Sequence, residues 1–278
     1  MSDRLGADTR SAPEADNARV VSSGIGSSEL TAPPLGTAAV RSGLVTPDER
    51  WLAAAWPFVR DNLPAPPARV LEIGCGPLGG FVPSLRADGY RATGIDPEAP
   101  EAADYSRVDF ERYDVRDPVD AVVACTSMHH VEDLGDVLDK VRSAMAPAGV
   151  LVIVEWAWER FDEATARWCF DRLAPSGAEP GAEHEHDHDH GWMHERRAEW
   201  QSSGKSWDVC CREWAEREVM HTGQEILHEL DTRFDRRLLE FGPFYFSELD
   251  GVTEAEEQAA IDAGLIQAGR IQYVGGLR

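Results

Sequence analysis

The run from residue 70 to residue 80, Val-Leu-Glu-Ile-Gly-Cys-Gly-Pro-Leu-Gly-Gly, constrains this chain more than any other stretch. Val70, Leu71 and Ile73 suit a buried strand. Gly74, Gly76, Gly79 and Gly80 then crowd a turn where backbone approaches a ligand with no side chain in the way. Pro83 to Ala87 reads as the helix that follows. Strand, glycine turn and helix make the first half of a nucleotide-binding βαβ unit. Glu72 narrows the choice of ligand. A dinucleotide brings a pyrophosphate to such a turn, which a carboxylate repels, whereas a ligand whose nearest group is a cation is welcomed.

Residues 90–95 (Tyr-Arg-Ala-Thr-Gly-Ile) read as a second strand that ends in Asp96. An acid at this offset accepts hydrogen bonds from both hydroxyls of a ribose, each worth roughly 1.5–3 kcal/mol when dry. Nicotinamide enzymes place an acid at the same offset, so Asp96 alone does not separate the readings. Nor does the G-x-G-x-x-G spacing of Gly74, Gly76 and Gly79. Glu72 does, because S-adenosylmethionine carries both an ammonium and a sulfonium.

With these residues in view, the chain resembles the class I S-adenosylmethionine-dependent methyltransferases, most closely the broad small-molecule "type 11" group, from about Val70 to Glu155. Glu72-Ile-Gly74-Cys75-Gly76 is similar to the first motif, and Gly94-Ile-Asp96-Pro97 to the ribose-binding second. Asp120 to Val131 resembles the fourth strand and the loop facing the transferred methyl; Met145 to Glu155 resembles the helix end, turn and fifth strand. The resemblance implies that Gly74, Cys75 and Gly76 meet the methionine part, with Glu72 near its ammonium. It puts Asp96 and Pro97 at the ribose, and Cys125 and Thr126 at the methionine end. For the adenine it offers Asp109-Phe110 or Asp114-Val115. Asp109 is preferred, since Asp114 leaves only six residues to re-enter the sheet at Asp120. His129 and His130 lie on the loop nearest the methyl, where either can serve as general base for a hydroxyl acceptor or simply shape the loop; His221, just before a helix, is a third candidate.

Strands are expected at 69–73, 90–95, 107–111, 120–125 and 149–155, with helical patterns between them, such as Leu134, Val137, Leu138, Val141 and Met145. Alternation of this kind implies a mostly parallel sheet with ligands beyond the strands' carboxyl ends, where Gly74, Asp96, Asp109, Thr126 and Glu155 all fall. Phe241–Phe246 and Ile266–Val274 read as the last two strands, an antiparallel pair in the family. The expected fold is therefore an α/β, Rossmann-like, doubly wound seven-stranded sheet, mostly parallel with an antiparallel last strand, plus a helical lid insertion.

Organisation along the chain follows composition. Residues 1–40, rich in Ser, Ala, Gly and Pro, are expected to be disordered. Residues 41–158 form the cofactor-binding core with an N-terminal cover helix. That helix opens at a Thr46–Glu49 capping box, and Pro57 should kink or break it. Residues 159–240 form a tryptophan-rich insertion, read as an acceptor lid or as the core of a small subdomain, and 241–278 complete the sheet. Thr222–Glu225 and Thr253–Glu256 are further capping boxes, the first opening a helix with Ile226, Leu230, Phe234 and Leu238 inward. The alternating run Glu183 to His190 offers imidazole and carboxylate ligands, but strict alternation between glycines reads as solvated low complexity, and no metal site is assigned.

A formal charge of −23 excludes a phosphate-neutralising nucleic-acid surface. No apolar run reaches the ~18 residues needed to cross a bilayer, and the N-terminus lacks an apolar signal core. Five cysteines, odd in number and without a C-x-x-C pair, fit reduced cytoplasmic thiols. The expectation is a cytoplasmic enzyme that moves the methyl of S-adenosylmethionine to a small-molecule acceptor by in-line displacement. The rival readings are an NAD-dependent oxidoreductase and an idle cofactor-binding or metal-sensing protein. The acceptor, the atom methylated and the oligomeric state are not encoded in any motif.

Overall fold

The computed structural model describes residues 45–174 and 191–278. The expected disordered segment and the 183–190 histidine run therefore lie outside the described residues. Thr46 and Glu49 exchange the two hydrogen bonds of a capping box and start α1 (Pro47–Asp61). Pro57 does not end this helix. It sits on the exposed face together with Ala53, whose carbonyl has lost its helical partner and can turn to solvent.

The strands are β1 (Arg69–Ile73), β2 (Arg91–Ile95), β3 (Tyr105–Ser106), β4 (Val119–Cys125), β5 (Met145–Trp156), β6 (Phe234–Gly242) and β7 (Arg270–Leu277). They form one sheet in the order β3-β2-β1-β4-β5-β7-β6. β7 runs antiparallel to β5 and β6, and the remaining pairs are parallel. The chain winds outward from β1 to β3, then returns to β4 and winds the other way. That reversal opens a crevice at the carboxyl ends of β1 and β4.

Period-two alternation sorts the strands' side chains. Leu71, Ile73, Val122, Ala124, Leu151 and Ile153 face a core shared with α3 (Leu134–Ala144) and α7 (Gly223–Arg233). Val70, Ala121, Val123, Val152 and Val154 face α1 and α2 (Val82–Ala87). A third core is aromatic and lies beyond the end of β5. It joins Trp156 to Phe161, Phe170 of α4 (Glu163–Phe170), Met193 of α5 (Trp192–Ser203), Trp207 of α6 (Trp207–Arg217), Tyr245 and Phe246. Trp51 of α1 packs against the same cluster. This core spans both expected insertion boundaries, so the insertion shares packing with what precedes and follows it.

Three expected elements differ. Residues 107–111 are not a strand: β3 pairs only at Tyr105 and Ser106, and Phe110–Arg112 form a 3-10 turn that buries Phe110. The helix opened by Thr222 ends at Arg233, so Phe234 begins β6 and Leu238 lies within it. The apolar spacing fits either element, and pairing with β7 decides for strand. Residues 243–246 consequently fall after the strand, and β7 starts at Arg270, with α8 (Glu254–Asp262) before it.

Candidate functional site

The glycine turn is held against β2. Gly74 N–H donates to the Ile95 carbonyl at 2.8 Å, and Gly76 N–H donates to Asp96 Oδ2 at 3.0 Å. Asp96 Oδ1 accepts from Glu98 N–H at 2.7 Å, which fixes the carboxylate at the end of β2. Gly74 and Gly76 lie at φ +75° and +61°, a region that disfavours a side chain. Space above Gly76 is open to 4 Å, whereas a Cβ on Gly74 would lie 2.3 Å from Ser127 Cβ. The turn after β1 and the loop after β4 are therefore in direct apposition.

Glu72 points beneath the turn, 1 % exposed, with both carboxylate oxygens 2.9 Å from the Phe81 N–H. Burial pushes its pKa up to about 8 against the pull of the Phe81 and Val82 amides. Its immediate partner is thus the backbone entering α2, and a Cβ on Gly80 would strike its Oε1 at 2.1 Å. Cys75 and Cys125 are buried thiols pushed up by desolvation, Cys125 to about 12, so both are unreactive packing groups.

On the β4 side, Thr126 adopts φ +47° and donates its N–H to the Val154 carbonyl at 2.8 Å. Such a conformation in a residue other than glycine stores of order 1–3 kcal/mol of strain and clusters at functional sites. Glu155, fully buried, holds the loop that follows. It accepts from Ser127 N–H at 3.1 Å, Met128 N–H at 2.8 Å and Trp156 N–H at 2.7 Å, and meets His129 Nδ1 at 2.6 Å. Burial alone would raise its pKa, but the His129 ring and these amides hold it below the usual value. A buried carboxylate on Nδ1 orients an imidazole and fixes which ring nitrogen faces the crevice.

The ring of His129 lies edge-on to Trp156 at 6.0 Å, and the exposed His130 ring sits 4.1 Å from His129. His221 braces this loop: its N–H donates to the His129 carbonyl and its Nε2 lies 2.9 Å from the Val131 carbonyl. Beyond Trp156 the wall is aromatic. Phe244 stacks on Trp156 at 5.4 Å, Trp192 meets Trp156 at 5.4 Å, and Trp214 stacks on Trp192 at 5.8 Å.

The other expected positions divide. Asp109 is half-buried ahead of the 3-10 turn that follows β3, and Pro97 is exposed beside Asp96. Phe110 turns inward, its ring buried in the core with Lys140 over it at 5.1 Å. Asp114 lines a cleft of about 740 Å³ with Arg69, Arg91 and Val119, the first residues of β1, β2 and β4. It lies at the amino ends of the strands, away from the crevice, which favours Asp109 of the two acids. Glu155 was legible only as an acid closing an apolar strand. Its role in gripping His129 needed the fold of the β4 loop. Among the described residues no group of three or more His, Cys, Asp or Glu side chains is placed to hold a metal ion, and no helix is long and apolar enough to cross a membrane.

Residues 49–212 match the family model described as a methyltransferase domain. A ubiquinone biosynthesis O-methyltransferase from Rhodopseudomonas palustris (strain TIE-1) is 33 % identical over 98 residues, 31 % of this chain. The matched stretch spans only 38 % of that relative's length. Among solved structures, an S-adenosylmethionine-dependent methyltransferase from Mesorhizobium loti aligns at a TM-score of 0.48 with 19 % identity, covering 80 % of this chain and 97 % of that one. The N-methyltransferase NodS from Bradyrhizobium japonicum WM9, solved with S-adenosylhomocysteine, aligns at 0.44 with 13 % identity over 84 % of this chain and 88 % of its own.

Proposed function

The chain belongs to the methyltransferase-domain family, with S-adenosylmethionine as its cofactor, and on that premise we propose that it methylates a small-molecule hydroxyl with His129 as general base. The observation that carries this reading is the 2.6 Å contact of His129 Nδ1 with the buried Glu155, on the loop that abuts the glycine turn. The partial likeness to a ubiquinone biosynthesis O-methyltransferase supports oxygen as the receiving atom.

The residues present fit the cofactor. Open space over Gly76 lets a ligand lie against the turn. Asp96 accepts one backbone hydrogen bond on each oxygen, which leaves lone pairs for a ribose diol. In this reading Gly74, Cys75 and Gly76 cradle the methionine part with Cys125 and Thr126 at its end. Asp96 and Pro97 hold the ribose, Asp109 and the backbone of Phe110 the adenine side, and Glu72, protonated in the free protein at neutral pH, gives negative charge beneath the ammonium once that cation is bound. When bound, S-adenosylmethionine supplies a methyl group already activated on a sulfonium. The protein's work is then to orient and to move one proton.

With Nδ1 committed to Glu155, Nε2 of His129 is the nitrogen that takes the acceptor's hydroxyl proton. The oxygen's electron pair forms the new C–O bond, the C–S bond breaks with its pair passing to sulfur, and Glu155 stabilises the imidazolium that remains. Positioning can contribute about 7–11 kcal/mol to such a reaction and a placed base a further 10²–10⁴-fold. The aromatic wall excludes water.

The test is methyl transfer from isotopically labelled donor to a panel of phenols, amines and thiols. His129→Gln should lower kcat for hydroxyl acceptors by about 10²–10⁴ while leaving S-adenosylhomocysteine affinity within threefold. Equal rates for wild type and variant, or transfer confined to amines or thiols, would remove the general-base assignment.

A further inference from the structure

Beside the aromatic wall lies a buried guanidinium, two of whose donors have no hydrogen-bond partner among the described residues. Arg270, the first residue of β7, has a side chain only 7 % exposed. Its Nη2 pairs with Glu254 Oε1 at 2.7 Å, but Nε and Nη1 are buried with no hydrogen-bond partner among the described residues. Trp51 Nε1 is also buried and unpartnered by hydrogen-bond geometry; the sulfur within its reach, that of Cys125, is a weak acceptor. The guanidinium lies over the Trp51 ring at 5.6 Å. Unpaired buried donors cost about 1–3 kcal/mol each, more when charged, so such a pair is rare without a purpose.

Their place in the fold gives the purpose. Arg270 is the cross-strand partner of Trp156, and directly opposed residues hold their Cβ atoms about 4.5–5.5 Å apart. Trp156 in turn meets the edge of His129. A continuous aromatic surface, Trp51 against Phe244 at 4.8 Å and Phe244 on Trp156 at 5.4 Å, joins the cation to the base. Trp51, Phe244, Trp192 and Trp214 are only partly buried, so each keeps some surface that a ligand can meet.

We propose that Arg270, with the Trp51 indole N–H, is an anion subsite for the acceptor, and that the acceptor is an aromatic molecule carrying a carboxylate or phosphate remote from the hydroxyl that is methylated. This rests on the methyl-transfer reading and deepens it. The chain's acidity does not oppose it, because exposed charges beyond about 8 Å are screened at physiological salt. Of the two nearby acids, Glu254 is already paired with Nη2. Glu257 has both oxygens engaged by the Phe244 and Phe246 amides, and burial raises its pKa toward the neutral form. An anionic oxygen placed here gains charge-assisted hydrogen bonds from Nε and Nη1 in a dry setting, while the carbonyl of a neutral amide gains only the weaker uncharged-acceptor bond. Aromatic bodies stack on the wall in either case, so the charge alone separates the two.

The experiment is calorimetry on the full chain saturated with S-adenosylhomocysteine. The probes are hydroxylated benzoates, naphthoates and cinnamates, each beside its primary amide, together with the matching aryl phosphates. At least one acid should bind tenfold or more tightly than its amide. Arg270→Met should abolish that preference, Trp51→Phe should reduce it, and Arg270→Lys should keep part of it. The carboxylate and phosphate arms identify which anion is preferred. Amides equal to acids throughout, no probe bound, or a preference that survives Arg270→Met would overturn the proposal; the last is the result expected if buried water alone serves the guanidinium. Should Arg270→Met fail to fold, the Lys and Phe variants carry the same decision. Failure of the chain to bind S-adenosylhomocysteine, measured before any probe is added, would count against the methyl-transfer reading and not against this subsite.

Discussion

The two sides of the crevice at the carboxyl edge of the sheet are built on different plans. The β1–β2 side is made of one short stretch, residues 72–98, and holds itself by backbone hydrogen bonds onto two acids, Glu72 and Asp96. The β4–β5 side gathers residues from across the chain, Trp51, His129, Glu155, Trp192, Phe244 and Arg270 among them, around one aromatic cluster. A ligand common to a whole family can be gripped by a contiguous motif. A variable acceptor is met by whatever side chains the tertiary packing delivers. The difference teaches that the first side is set by local backbone geometry and the second by packing between residues far apart in the chain.

Substitutions can break this contrast. The largest effect should come from Glu72→Gln. Between pH 4.5 and about 8 the folded chain keeps a proton on Glu72 that the unfolded chain has released, so wild-type stability falls as pH rises through that window. Each tenfold difference in proton affinity between the two states is worth roughly 1.4 kcal/mol, so the loss reaches several kcal/mol in all. Glutamine carries no such loss, so thermal unfolding should find the variant more stable at pH 8.5 and nearly equal at pH 4.5. The same variant should bind S-adenosylmethionine less tightly, if Glu72 acts on the ammonium. Parallel pH profiles would show that the buried acid does not titrate.

Asp96→Ala should weaken S-adenosylhomocysteine by one to three powers of ten, at about 1.4 kcal/mol per tenfold. Unchanged affinity by calorimetry in a folded variant would remove Asp96 from the site.

Glu155→Gln acts on the other side and should cost about 1–3 kcal/mol by setting an amide NH₂ against backbone donors. Because the folded pKa of Glu155 is depressed, its contribution is present above the ordinary carboxylate range and lost as pH falls through the folded value. Wild type should therefore approach the variant's stability on acidification, as read by chemical denaturation at pH 3 and pH 7. Activity should fall with the disordered His129, while donor affinity on the β1–β2 side stays within a few fold. A collapse of donor affinity would mean that the two sides are one cooperative unit.

Legibility from sequence followed the same division. Capping boxes at Thr46, Thr222 and Thr253 form as their spacing predicts, because a cap is satisfied within four residues. Strands β1, β2, β4 and β5 appear close to their expected ranges, each ending at or beside the residue expected at its carboxyl end, Gly74, Asp96, Thr126 and Glu155 in turn. Phe234 and Leu238 misled, since Ile226, Leu230, Phe234 and Leu238 continue a helical spacing that β7 interrupts by pairing. Residues 107–111 misled for a related reason: a strand exists only where a neighbour accepts it, and β2 accepts only two residues there.

What the sequence determined by itself is the glycine turn, the acids at the ends of the first two strands and the family they resemble, because these depend on backbone geometry within some twenty-five residues. Only the tertiary structure decided that Glu72 answers first to a backbone amide, that Glu155 grips His129, and that Arg270 lies buried over Trp51 with donors to spare. The last two depend on residues brought together from separate parts of the chain, and in all three burial, rather than residue type, sets the charge and the partner.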